Sequence, residues 1–237
     1  MRMALLRVGI DSGSGGMDGP LFADGTFEYV PIPDSTGLDD RTYGNQMAAH
    51  TGKPLSDFFP SVRQAAMRSQ SMHLDPEFTS FTYGDPTAPK AGLRRLAAGD
   101  LLVFYAGLRG YDCDLAAGLY LIGYFEVAFA GLARDLTEEQ IHLCSDNFHV
   151  RHESVFIAQR DRLVLVKGGC GSRFLTKAVK ISVMGRDRAG KPLKVLSREM
   201  QQIFGRFDGK LSFQRSPTRW VANEHVPAAA CFVRGLA

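Results

Sequence analysis

A chain of 237 residues with 45% hydrophobic and 22% charged side chains has the composition of an ordinary globular domain, long enough to bury its own core. It holds no apolar run near the roughly 20 residues that a membrane-spanning helix needs, and Met1-Arg2-Met3-Ala4-Leu5-Leu6-Arg7 lacks the apolar length and cleavage pattern of a secretory signal, so a cytoplasmic protein with no membrane partner is expected. The net charge of +3 hides an asymmetry, with 11 Lys+Arg against 19 Asp+Glu over residues 1–150 and 16 against 5 over 151–220.

In chain order, Leu5, Leu6, Val8 and Ile10 read as a short buried strand that delivers Asp11 to its end. The loop Asp11-Ser12-Gly13-Ser14-Gly15-Gly16 follows, and its three glycines allow a tight turn and close backbone approach. Two readings fit. Free N–H groups of Gly13, Ser14, Gly15 and Gly16 could cradle a phosphate beside the Asp11 carboxylate, or Asp11 could simply cap a structural loop. A strand over Phe27 to Val30 comes next, then an extended turn through Pro31 and Pro33. Helices are expected over Leu38 to Lys53 and over Pro54 to Ser71, the latter starting at Pro60. The turn-rich stretches Met72-His73-Leu74-Asp75-Pro76 and Tyr83-Gly84-Asp85-Pro86 place His73, Asp75, Tyr83 and Asp85 on loops, where site residues are commonly found.

A short helix over Ala91 to Ala98 leads through Gly99-Asp100 to strands at Leu101 to Tyr105 and Leu119 to Val127. This pair, "GDLLVFYAGL … GLYLIGYFEV", resembles the hairpins of PUA-like barrels such as the ASCH and EVE domains. Thr137-Glu138-Glu139-Gln140 has the spacing of a helix-opening capping box. His149 and His152 fall in a segment read as extended, where they would face opposite sides and share no metal. Strands at Ser154 to Ala158 and Arg162 to Val166 follow, then the basic glycine loop Lys167 to Arg173 and a strand from Ala178 to Val183. Ser197 caps a helix to about Phe204, and Leu211 to Trp220 closes the segment.

Within 151–220, aromatics including Phe174, Phe204 and Trp220 are interleaved with the cations, as in a nucleic-acid or polyphosphate footprint. Cys113, Cys144, Cys170 and Cys231 form no CxxC pair and read as reduced thiols. Several motifs fail on inspection. The first loop is similar to that of actin-like sugar kinases, yet their second acidic glycine loop is missing. It is also similar to the opening of glutamate racemases, yet the cysteines here lack the Asn-Thr and Thr-His successors that chemistry needs. Neither Ser12 nor Ser14 lies in GxSxG, so no hydrolase triad is indicated.

Taken in order, "RVGIDSGSGGMDGPLFADGTFEYVPIPD", "MHLDPEF … TYGD", "LAAGDLLVFYAGL", "LVKGGCGSRFLTKAVKIS" and "FGRFDGKLSFQRSPTRWV" resemble one family, the nucleotide-modification-associated domain of the third type, over nearly the whole chain. The resemblance implies work on modified nucleotides or DNA bases. It puts weight on Asp11, Ser12, His73, Asp75 and Asp85 as catalytic groups and on Gly13, Ser14, Gly15 and Gly16 as phosphate binders. Lys167, Arg173, Lys177, Gln214, Arg215, Arg219 and Trp220 become the nucleic-acid contacts. The expected fold is α+β, one domain with a mixed β-sheet that includes the PUA-like hairpin. The expected function is modification of a nucleotide or DNA base, with Asp11 as general base or orienting the attacking hydroxyl, DNA or a nucleotide as partner, and no metal or cofactor assigned. Two alternatives are a non-catalytic reader of modified bases and a hydrolase of free modified nucleotides, which would use a divalent cation near Asp11, Asp75 and Asp85.

Overall fold

The computed structural model describes residues 1–187, 189–207 and 217–236. Its elements are β1 (Met3–Arg7), β2 (Gly19–Leu21), β3 (Ile32–Pro33), α1 (Ser61–Arg68), β4 (Met72–His73), β5 (Thr82–Asp85), β6 (Leu101–Gly110), β7 (Gly118–Leu132), α2 (Glu138–His142), α3 (Phe148–Arg151), α4 (Glu153–Gln159), β8 (Val164–Gly168), β9 (Arg173–Lys180), β10 (Ser182–Arg186), β11 (Pro192–Leu196), α5 (Arg198–Phe204), β12 (Arg219–Trp220) and α6 (Val226–Arg234). Short 3-10 helices at Leu55–Phe58, Ala88–Arg95 and Ala133–Asp135 complete them.

The sequence of β6 and β7 explains why they form the centre. Both are near-continuous apolar runs, the pattern of strands covered on both faces, and Leu101 through Leu108 are all buried. They pair antiparallel from Leu101↔Glu126 to Leu108↔Gly118, with a register shift between Phe104 and Tyr105. Each is long enough to serve two further neighbours in succession. β1 pairs parallel with Leu101–Tyr105 and β2 parallel with Leu108–Gly110. On the other side β9 pairs with the Tyr120–Tyr124 stretch of β7, and β8 with Val127–Leu132. The main path runs β12-β1-β6-β7-β8-β5. This is a mixed sheet in a mixed α/β domain, and it stays open: among the described residues its two end strands, β12 and β5, do not pair, so the hairpin resembling PUA-like barrels belongs to no closed barrel here.

Apolar side chains gather in three clusters. The largest surrounds β1, β6 and β7. A second, with Ile10, Tyr43, Phe58, Phe59 and Met72, supports the glycine loop and β4. A small third one joins Cys144, Leu163 and Leu165, with Val150 and Phe156 packed against it.

Three expected elements are corrected. Leu38 to Lys53 forms turns rather than a helix: Asp39 and Asn45 use their side chains to bond nearby backbone N–H groups, which competes with helical pairing. The segment from His149 to Ala158 is helical, not extended. Asn147 accepts from the His149 N–H to start α3, and its neighbour α4 packs Phe156 onto the third cluster. The capping box at Thr137 and the Ser197 cap form as expected, and α1 begins just after Pro60. The expected strand at Phe27 to Val30 is reduced to an isolated bridge, Leu21↔Phe27. None of the four cysteines is in a disulfide. No described helix is long and apolar enough to cross a membrane.

Candidate functional site

β1 and β5 end beside one cleft of about 520 Å³. It is lined by Arg7, Asp11 and Ser14, by Tyr83, Gly84, Asp85 and Lys90, and by His73, Asp75 and His149. The structure therefore brings Asp11, Ser14, His73, Asp75 and Asp85 together, although they come from separate loops and strand ends. Ser12 is exposed and does not line the cleft.

Asp75 is the centre of the arrangement, with its side chain only 2% exposed. The Gly84 N–H donates to both carboxyl oxygens, at 3.2 and 3.0 Å, and the Asn147 amide donates to Oδ1 at 3.3 Å. Gly84 is required by this close approach. A Cβ there would lie 2.6 Å from Asn147 Oδ1 and 2.9 Å from His149 Cδ2. His149 Nε2 and His73 Nε2 stand 3.7 and 3.8 Å from Asp75 Oδ2. At those distances neither is hydrogen-bonded to it. His149 Nδ1 meets Gln159 Oε1 at 2.7 Å, so α4 holds the ring from behind.

Burial favours the uncharged forms of Asp75, His149, His73 and Lys90. It raises the Asp75 carboxyl well above the usual range, a push that His149, the Gly84 N–H and Asn147 partly oppose. It lowers His149, and it lowers His73 to about 4. Lys90, 5% exposed, is lowered by burial to about 8 despite the attraction of Asp85 and Asp75. The Tyr83 hydroxyl donates to Asp85 Oδ2 at 3.0 Å, and Asp85 Oδ1 accepts from the Thr87 N–H at 2.7 Å. The cleft thus holds two imidazoles that burial keeps uncharged at neutral pH and an amine lowered to about 8, beside a carboxyl whose neutral form burial favours.

The glycine loop is closed by hydrogen bonds to Asp11. Asp11 Oδ1 accepts from the N–H groups of Gly13 and Ser14, both at 2.7 Å, and the Gly16 N–H donates to the Asp11 carbonyl. Asp11 Oδ2 is paired with Arg7 Nη2 at 2.9 Å. The amides of Gly13, Ser14 and Gly16 thus bond to Asp11. Gly15 is demanded by its φ of +94°, and a Cβ there would sit 2.5 Å from Ile10 Cγ2.

The basic residues weighted for nucleic acid are scattered. Lys167 on β8 donates to the Ser80 carbonyl, and Arg173 on β9 donates to the carbonyls of Cys170 and Ser172. Lys177, also on β9, is exposed. Arg219 and Trp220 form β12, separated from β8 by three strands, and the Arg95 guanidinium covers the Trp220 ring at 5.0 Å. None of these five lines the cleft, and Gln214 and Arg215 lie outside the described residues. A second cavity of about 610 Å³ shares Pro86 and Thr87 with the cleft and carries Arg94 and Arg162.

Sequence reasoning missed His149 and Lys90. The signal for His149 was Asn147, a favoured helix cap immediately before Phe148 and His149. Nothing local marks Lys90 as buried.

A family model described as nucleotide modification associated domain 3 matches residues 2–235. Comparison with curated proteins and with solved structures finds no match.

Proposed function

The chain belongs to the nucleotide modification associated domain 3 family, and from that membership we propose that it is an enzyme acting on a nucleotide or a nucleic-acid base, with its reaction centre in the cleft between β1 and β5. The observation that carries this reading is the convergence of His73, Asp75, His149, Asp85 and Lys90 on one concave site from distant parts of the chain. Perturbed titrating groups in a pocket of small-molecule size are the physical signature of reactive chemistry.

In this reading Lys90, lowered by burial to about 8, moves protons at the substrate. Asp85, oriented by Tyr83 and Thr87, binds a polar edge of the substrate. Asp11 positions the loop and Arg7 instead of acting as the general base, because both its oxygens are already engaged. Arg94 and Arg162 in the adjoining cavity supply the cations for the phosphate of a substrate whose base enters the cleft. A concave site flanked by two arginines suits a free nucleotide or an extruded base better than an intact duplex face.

The test is mass analysis of nucleosides from the DNA and nucleotide pools of cells carrying the wild-type chain or its His149→Ala variant. A nucleoside present only with wild type supports the enzyme. Identical nucleosides in both, with purified protein preferring modified over plain DNA, would make the chain a reader.

A further inference from the structure

We propose that His73, Asp75 and His149 bind one divalent first-row transition-metal ion, with the coordination positions opposite them open to the cleft. Three donor atoms, two imidazole nitrogens and a carboxylate oxygen, all lie within 4.8 Å of one another. The two Nε2···Oδ2 separations, 3.7 and 3.8 Å, are too long for hydrogen bonds. They approach the roughly 3.3–3.5 Å that separates neighbouring ligands around a tetrahedral ion with bonds of about 2.0–2.1 Å.

The surroundings are those of a metal centre. A ligating histidine usually donates its other ring N–H to an acceptor, which leaves the free lone pair facing the metal. His149 does this through Nδ1 to Gln159 Oε1 at 2.7 Å. Asp75 is oriented the same way by Gly84 and Asn147, which bond its carboxyl from the protein side. His73 completes the set from the cleft side, its side chain 20% exposed. Imidazole donors favour zinc, iron or cobalt over magnesium and calcium, which prefer all-oxygen sets. Three protein ligands beside a 520 Å³ cleft leave room for a water molecule or a substrate oxygen. Use of the ion in catalysis rests on reading the cleft as the active site; its binding does not.

The experiment is a titration of chelator-stripped, tag-free protein with Co²⁺, followed by visible absorption. A d–d band that saturates at one equivalent is expected, displaced by Zn²⁺ but not by Mg²⁺. His149→Ala and Asp75→Asn should each weaken binding by more than about 100-fold, and Gln159→Ala by about 10- to 100-fold, the usual cost of a lost outer partner. Far-UV circular dichroism checks the fold of each variant, and His73→Ala, at the more exposed ligand, replaces any that fails. No saturable band in wild type, or a band unchanged in the folded variants, overturns the proposal. Either result leaves the nucleoside analysis as a separate test of the active-site reading.

Discussion

His73 and His149 meet edge to face, with ring centroids 4.9 Å apart and planes at 66°, one at the end of β4 and the other on α3. Both turn Nε2 toward the same oxygen of Asp75. Burial keeps both rings neutral at pH 7, so they present lone pairs instead of repelling as cations.

Asp75 is the group whose replacements should separate shape from charge. Asp75→Ala leaves the buried Gly84 N–H and Asn147 amide without an acceptor, and an expected loss of about 1–3 kcal/mol follows. Asp75→Asn keeps an acceptor and a neutral side chain in a site that disfavours charge, so it should fall within about 1 kcal/mol of wild type while abolishing turnover. Urea denaturation beside activity measures both.

Lys90 predicts a pH-dependent cost. Its folded value of about 8 lies below the ordinary 10.5, so between these values the unfolded chain binds more protons and stability rises with pH. Below about 8 the full penalty of a buried ammonium is present. Lys90→Met should therefore raise stability at pH 7 by about 2–3 kcal/mol, with the advantage over wild type shrinking toward pH 10. Melting temperatures of the pair across that range decide it, and a constant difference would show that the lysine is not buried as an amine.

Gly15→Ala and Gly37→Ala form a matched pair. Both positions have positive φ, +94° and +67°, but only Gly15 faces a steric block, at Ile10. Gly37→Ala should cost about 1–2 kcal/mol, the left-handed penalty alone. Gly15→Ala should cost clearly more and displace Asp11, as read by denaturation and by loss of activity.

Asp11→Asn should lower turnover by about 3- to 10-fold, the scale of a weakened charge-assisted bond. His149→Ala should lower it by about 100- to 10,000-fold, as for loss of a group that acts on the transition state. Steady-state rates on one substrate compare them directly. A larger loss for Asp11 would return that residue to the role of general base.

Much of the centre was legible because its signals are local. The paired apolar runs that became β6 and β7 needed no tertiary information, nor did the caps at Thr137 and Ser197. His73, Asp75 and Asp85 stood out as ionisable groups in turn-rich sequence, and they do share a cleft. What stayed hidden depends on long-range packing. Phe156 and Val150 sit in helices because a small cluster under β8 receives them, whereas the same residues read locally as a strand. That misreading put His149 and His152 on opposite faces of a strand. The cations of the basic segment fall partly on β8 and β9, which both pair with β7, and partly on β12 at the other end of the sheet, an arrangement that only the strand order reveals.

The parallel pairing of β1 and β2 with β6 bears on how the molecule comes into being. Met3 meets Leu101 and Gly19 meets Leu108, so β1 and β2 must wait for a partner made much later. Closing so long a loop is slow, whereas β6 and β7 can zip through a short connection. A nascent chain would thus complete its central hairpin while Arg7 and Asp11 remain unplaced. The cleft would be completed late, after the sheet that carries it.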